Sequence, residues 1–154
     1  MRKTSTRRGA PGARHAGYRL DDQIGFVLRC AYQRASANLL GQIGAHDLTP
    51  PQFATLARLH ERGRVSQNLL GRLVAMAPAN IRDVVLRLKK RDLVETQRAP
   101  DDERLILVSL TRSGAALVEA LIPVEMKATA RTLAALDQGE RKILYELLRR
   151  ISES

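Results

Sequence analysis

The sequence predicts a mainly α fold with a small β-hairpin wing, a winged helix-turn-helix domain flanked by N- and C-terminal dimerisation helices. Three observations predict it. Apolar residues recur at three-and-four spacing along most of the chain, the mark of helices with one buried face. Thr49, Ser66, Thr111 and Asp137 stand just before such stretches, and each has a side-chain oxygen that can cap a helix. Between residues 93 and 110 the helical spacing gives way to two short strand-like runs around a charged loop.

The elements follow in order. Over residues 21–44, Ile24, Val27, Leu28, Ala31, Ala35, Leu39 and Ile43 form one stripe, with Asp21 or Asp22 as its cap. Thr49 then precedes Pro50 and Pro51, with Gln52 three residues beyond the Thr. A cap, a first-turn Pro and a capping-box Gln together announce a second helix, running to Glu61 and stopping at Gly63. Ser66 caps a short helix bearing Leu69, Leu70, Leu73 and Val74, and Ala77-Pro78 interrupts and restarts the pattern. The next stripe is Ile81, Val84, Val85 and Leu88, ending near Arg91 and Asp92. Helix, short helix, tight connection and second helix is helix-turn-helix spacing.

Residues 93–98 and 105–110 are the two arms of a hairpin, its tip formed by Ala99, Pro100, Asp101, Asp102, Glu103 and Arg104. A hairpin directly after a helix-turn-helix is a wing. Thr111 caps a long helix through Leu117, Val118, Leu121, Ile122, Met126 and Leu133, expected to bend near Pro123, whose ring removes a backbone donor. Asp137 and Glu140 open a last helix with Ile143, Leu144, Leu147, Leu148 and Ile151. The first and last helices carry more apolar positions than one small domain buries, so a homodimer with interleaved termini is expected.

The chain has 154 residues, enough for a real core without disulfides. It carries 26 Lys and Arg against 16 Asp and Glu, a net charge of +10 that favours a polyanionic partner. Six of those cations, Arg2, Lys3, Arg7, Arg8, Arg14 and Arg19, precede the first acid, Asp21. Residues 1–20 therefore read as a disordered basic arm, and the body keeps 20 basic against 16 acidic residues. The arm is either a solubilising tail or a tracker of phosphates. With three Tyr, two Phe and no Trp, platforms for stacking single-stranded bases are not expected. Cys30 is the one cysteine, and with His15, His46 and His60 it makes no zinc-ligand spacing, so no metal and no cofactor is expected. No apolar run matches a signal peptide or a membrane span, which points to the cytoplasm and to no membrane partner. No Gly-x-Ser-x-Gly elbow, glycine-rich phosphate loop or paired His on one helix occurs, which argues against an enzyme.

Placing Ile81, Val84, Val85 and Leu88 inward turns Ala79, Arg82, Asp83, Leu86 and Lys90 outward, with Asn80 and Arg87 on the flanks. Arg to guanine and Asn to adenine are the favoured pairings in a major groove, so Arg82 and Asn80 are the expected base readers. Arg87, Lys89 and Lys90 suit phosphate, or a solvated face.

At the wing the residues take on a specific pattern: Asp102, Arg104, five residues, Leu110-Thr111, two residues, Gly114. It resembles the signature of the MarR family of bacterial winged-helix regulators. Leu93-Val94, Pro100 and the Thr-Pro-Pro-Gln-Phe run starting at Thr49 are similar to that family too, and the resemblance covers residues 21–152. It implies residues 49–110 as the DNA-binding region and residues 21–48 and 111–154 as the helical dimerisation region. It further implies a homodimer with two recognition helices in successive major grooves of double-stranded DNA and the wings in flanking minor grooves. Such a protein represses transcription from a pseudo-palindromic operator until a small molecule changes the spacing of its two heads. On this sequence Arg104 becomes the minor-groove side chain, Asp102 the acid orienting a neighbouring wing Arg, and Arg98 either its partner or a phosphate contact. Many relatives carry Ser or Thr near Ala79, Asn80 and Arg82, so a different operator is expected here.

One branch of the family senses organic hydroperoxide through a first-helix cysteine. This chain has Gly25 at that position, and Cys30, five residues on, reads as a small packing residue. Residues 24–34 look more like regulators of aromatic-acid catabolism, of the nicotinate and hydroxycinnamate types, implying an aromatic acid or its CoA thioester as effector. In that family the pocket lies between the dimer helices and the DNA-binding lobe. A carboxylate there needs a cation or donor pair, which makes Arg29, Tyr32, His46 and Arg58 the candidates, with His60 a surface residue. The alternative is a nonspecific architectural DNA-binding protein, because net charge alone binds any duplex.

Overall fold

The computed structural model of the chain describes residues 17–153, so most of the expected basic arm lies outside the described residues. The backbone divides into two units that meet between Gln33 and Arg34. In the first, a short 3-10 turn over Leu20–Asp22 leads into α1 (Ile24–Ile43). Asp21 and Asp22 lie within that turn and do not cap α1 as expected. The N–H groups of Phe26 and Val27 in its first turn donate to the Gln23 carbonyl.

The second unit holds the rest of α1 and every other element. α2 (Pro50–Arg62) opens with the expected capping box: Thr49 Oγ1 accepts from the Gln52 N–H and Gln52 Oε1 from the Thr49 N–H. The two orphan donors of that helix end are thereby satisfied. α2 ends at Gly63, whose φ of 70° is one that side chains other than glycine's avoid. Val65–Ser66 then forms β1, and Ser66 also caps α3 (Gln67–Leu73) by accepting from the Leu69 N–H. A tight connection leads to α4 (Pro78–Lys90).

β2 (Val94–Arg98) and β3 (Ile106–Leu110) form the expected hairpin, with Val94 opposite Leu110 and Arg98 opposite Ile106. The sheet has a third strand that the pattern did not announce. β1 pairs antiparallel with the other edge of β3, Val65 opposite Val108, giving the order β1-β3-β2. The wing is thus tied to the segment between α2 and α3 and does not project as a free ribbon.

α5 (Arg112–Thr132) starts at Thr111, whose hydroxyl accepts from the Gly114 N–H and donates to the Asp92 carbonyl. It continues through Pro123 as one element. α6 (Gln138–Ser152) opens with a second capping box, between Asp137 and Glu140. The core gathers Ile43, Leu48, Phe53, Leu56, Leu59, Leu70, Ile81, Val85, Leu88, Leu93, Val94, Val108, Val118 and Leu121. Each helix from α2 to α5 contributes to it, so α4 and the sheet are held by one packed interior. α6 contributes no buried residue, and Ile143, Leu147 and Ile151 lie on its surface.

Candidate nucleic-acid interface

α4 buries Ile81, Val85 and Leu88, with Val84 half-buried, which fixes its rotation. Ala79, Asn80, Arg82, Asp83, Leu86, Arg87, Lys89 and Lys90 are exposed. Its first residue is Pro78 and its N-cap, Ala77, makes no side-chain cap. The N–H groups of Ala79 and Asn80 therefore have no side-chain acceptor from the N-cap, at the positive end of the helix. Among the described residues, the side chains of Asn80, Arg82, Arg87 and Lys90 form no hydrogen bond or ion pair, so their donors are available to a partner. Lys89 differs from these. Its Nζ donates to Thr96 Oγ1 at 2.6 Å, bracing α4 against β2. Between helix and sheet lies a shallow depression of about 210 Å³ bordered by Arg82, Leu86, Lys89, Thr96 and Ile106, among others.

The tip of the wing is folded on itself. The Ala99 N–H donates to the Leu105 carbonyl and the Leu105 N–H to the Asp102 carbonyl, both at 2.9 Å. Asp102 Oδ1 accepts from the backbone N–H of Arg104 at 2.9 Å. Asp102 therefore positions Arg104 through its main chain, not by pairing with a neighbouring guanidinium as expected. Arg98 does not meet Asp102 either: its Nη1 donates to the Glu103 carbonyl at 3.2 Å. Both residues shape the loop from which the exposed, unpaired Arg104 side chain extends.

The structure places the four effector candidates as follows. Arg29 and Tyr32 are exposed on α1, three residues apart and so on neighbouring parts of one face. His46 is exposed in a 3-10 turn over Gly44–His46. Arg58 is half-buried, and its Nη1 lies 2.6 Å from Glu61 Oε2, so its charge is already balanced within α2. His60 is exposed as expected, with Nε2 3.4 Å from Glu119 Oε1. Cys30 is also exposed and is not the packing residue expected within the protomer. Among the described residues no cluster of His, Cys, Asp and Glu is able to hold a metal ion. No helix there is long and apolar enough to cross a membrane.

The role of one residue, expected only to mark the end of α4, escaped sequence reasoning. Arg91, the C-cap of α4, donates from Nη1 to the Asp47 carbonyl at 2.7 Å and from Nη2 to the His46 carbonyl at 2.8 Å. It thereby fastens the end of α4 to the turn before α2. Nothing local distinguishes it from the cations Arg87, Lys89 and Lys90 that precede it, because its partners lie more than forty residues away.

Against known proteins, residues 48–106 match the model of the MarR family. The HTH-type transcriptional repressor NicR of Pseudomonas putida is 39% identical over 154 residues, all of this chain and 97% of that protein. A probable transcriptional regulator from Pseudomonas aeruginosa is 47% identical, with a TM-score of 0.80 over 86% of this chain and 99% of its own. BpsR of Bordetella bronchiseptica is 36% identical, with a TM-score of 0.84 over 89% of this chain and 98% of its own, and its DNA binding is regulated by 6-hydroxynicotinic acid.

Proposed function

Because the chain belongs to the MarR family of DNA-binding transcriptional regulators and is not an enzyme, we propose that it is a cytoplasmic homodimeric repressor, released from a pseudo-palindromic operator by a small aromatic acid or its CoA thioester. The observation that carries this reading is the likeness along nearly the whole chain to NicR, named a transcriptional repressor, and to BpsR, which responds to 6-hydroxynicotinic acid. In this reading α4 of each protomer enters a major groove. Arg82 and Asn80 meet base edges, while Arg87 and Lys90 meet phosphates. Arg104 reaches the flanking minor groove from a wing tip that Asp102 and Arg98 hold in shape. The exposed apolar stripe of α6 supports the dimer, since such a stripe on a helix with no buried residue asks for a partner. Arg29 and Tyr32, three residues apart on neighbouring parts of one face of α1, are the proposed contacts for the carboxylate of the effector, whereas Arg58 is already paired with Glu61.

The test is fluorescence anisotropy on the DNA upstream of the protein's own gene against a scrambled duplex, at near-physiological salt. A preference of about 10³-fold or more is expected of a sequence-specific regulator. Equal affinity, together with a steep salt dependence, would instead establish a nonspecific architectural binder. The complex is then challenged with 6-hydroxynicotinic acid, other aromatic acids and their CoA thioesters. Release by one of them is expected; release by none would remove the effector while leaving the operator in place.

A further inference from the structure

Leu86 is 52% exposed although it stands on a helix whose other large apolar residues are buried in the core, as Ile81, Val85 and Leu88 are, or half-buried, as Val84 is. A lone exposed leucine on a protein surface is ordinary. The place of this one is not, because it interrupts a face otherwise built of Arg82, Asp83, Arg87, Lys89 and Lys90. It lies one turn beyond Arg82, and both border the depression between α4 and the sheet. The major-groove edges of the bases present donors and acceptors that polar side chains read, and one apolar group, the C5-methyl of thymine. Asn80 and Arg82 suit adenine and guanine, which leaves that methyl without a large apolar partner on α4 other than Leu86.

Resting on the DNA-binding reading above, we propose that Leu86 packs on a thymine methyl in the major groove and so sets part of the operator preference. Four residues of helix advance about 6 Å, less than two base-pair steps of about 3.4 Å. The thymine therefore lies within about two steps of the base read by Arg82. Burying one methyl is worth about a fourfold change in affinity, enough to favour thymine at that step but not to anchor the complex alone.

The experiment starts from a duplex that the full-length protein selects out of a randomised pool. If no preferred sequence emerges, the DNA-reading function and this inference fall together. With a selected duplex in hand, each thymine is replaced in turn by deoxyuridine, which removes the methyl and nothing else. The wild-type protein is expected to lose about fourfold in affinity at one position of each half-site. Leu86→Ala, with the circular dichroism spectrum of the wild type, is expected to bind the thymine and deoxyuridine duplexes equally. Deoxyuridine that is neutral throughout the site would overturn the proposal without touching sequence-specific binding. A loss that persists in Leu86→Ala would assign the methyl to another residue, and equal weakening on both duplexes would place Leu86 against the sugar–phosphate backbone; either overturns it.

Discussion

Gly114 sits where the start of α5 crosses the backbone at Leu93. A Cβ there would overlap the Leu93 carbonyl oxygen and lie 3.3 Å from Leu110 Cδ2. The Leu93 backbone does not yield easily, because its carbonyl also accepts the Thr111 N–H at 3.2 Å. Gly114→Ala should therefore destabilise the protein by about 3 kcal/mol, measured by urea denaturation; a loss below about 1 kcal/mol would mean the crossing adjusts freely. The spacing of the wing motif made this glycine visible, but not its reason, which is a contact between two backbones. The same limit applies at Asp102, where the motif identified the residue and the structure identified its partner as a main-chain N–H. Side chains whose role depends only on direction were more legible. Arg82 is exposed as the helical stripe implied, and Arg104, singled out by the family resemblance, is exposed as well. Arg104→Ala should weaken operator binding with an unchanged sedimentation coefficient, and unchanged binding would take the wing out of the interface. Arg82→Ala should relax base preference at one step by about 1 to 3 kcal/mol, whereas equal losses on operator and random DNA would make Arg82 a phosphate contact.

Among the elements, legibility followed sequence separation. The capping boxes at Thr49–Gln52 and Asp137–Glu140 join residues only three positions apart, and both form in the structure. β1 went unseen because two residues hold no periodicity, and its pairing with Val108 and Leu107 lies some forty positions downstream. The Arg91 bonds to His46 and Asp47 are of the same kind. They hold a turn in which Asp47 adopts φ 52°, ψ 36°, a left-handed conformation that costs a residue other than glycine about 1 kcal/mol or more. Arg91→Ala should release that turn, speeding amide exchange at residues 44–48 and lowering stability by about 1 kcal/mol, the range for a solvent-accessible charge-assisted bond. Arg91→Lys should recover little of it, because an ammonium does not reproduce two donors in a fixed fork. Unaltered exchange in Arg91→Ala would mean that the backbone holds the turn unaided.

The whole molecule leaves a question that no single protomer answers, namely what covers its terminal helices. Ile143, Leu147 and Ile151 recur every four residues on α6 and are 58%, 46% and 55% exposed. Ile122 and Met126 on α5 are 37% and 64% exposed at the same spacing. In the first unit Ile24, Val27 and Tyr32 are exposed as well. Covering a large aliphatic side chain is worth about 1.5 to 3 kcal/mol when burial is complete, so several of these together would supply the association energy of the proposed dimer even after partial burial is allowed for. A second copy of the chain fits because a two-fold contact brings the same stripe from both sides. In the proposed dimer two α4 helices one turn of duplex apart would read two half-sites, which is the physical reason for the proposed pseudo-palindromic operator. Ile143→Glu combined with Leu147→Glu should therefore yield a folded monomer in sedimentation velocity, because both positions are surface positions in the isolated protomer. The same variant should lose most of its operator affinity while retaining weak binding to any duplex, because each remaining head holds one half-site without the gain from the second. A variant that stays dimeric would move the interface away from α6, and a monomer with undiminished operator affinity would show that one head reads the site alone.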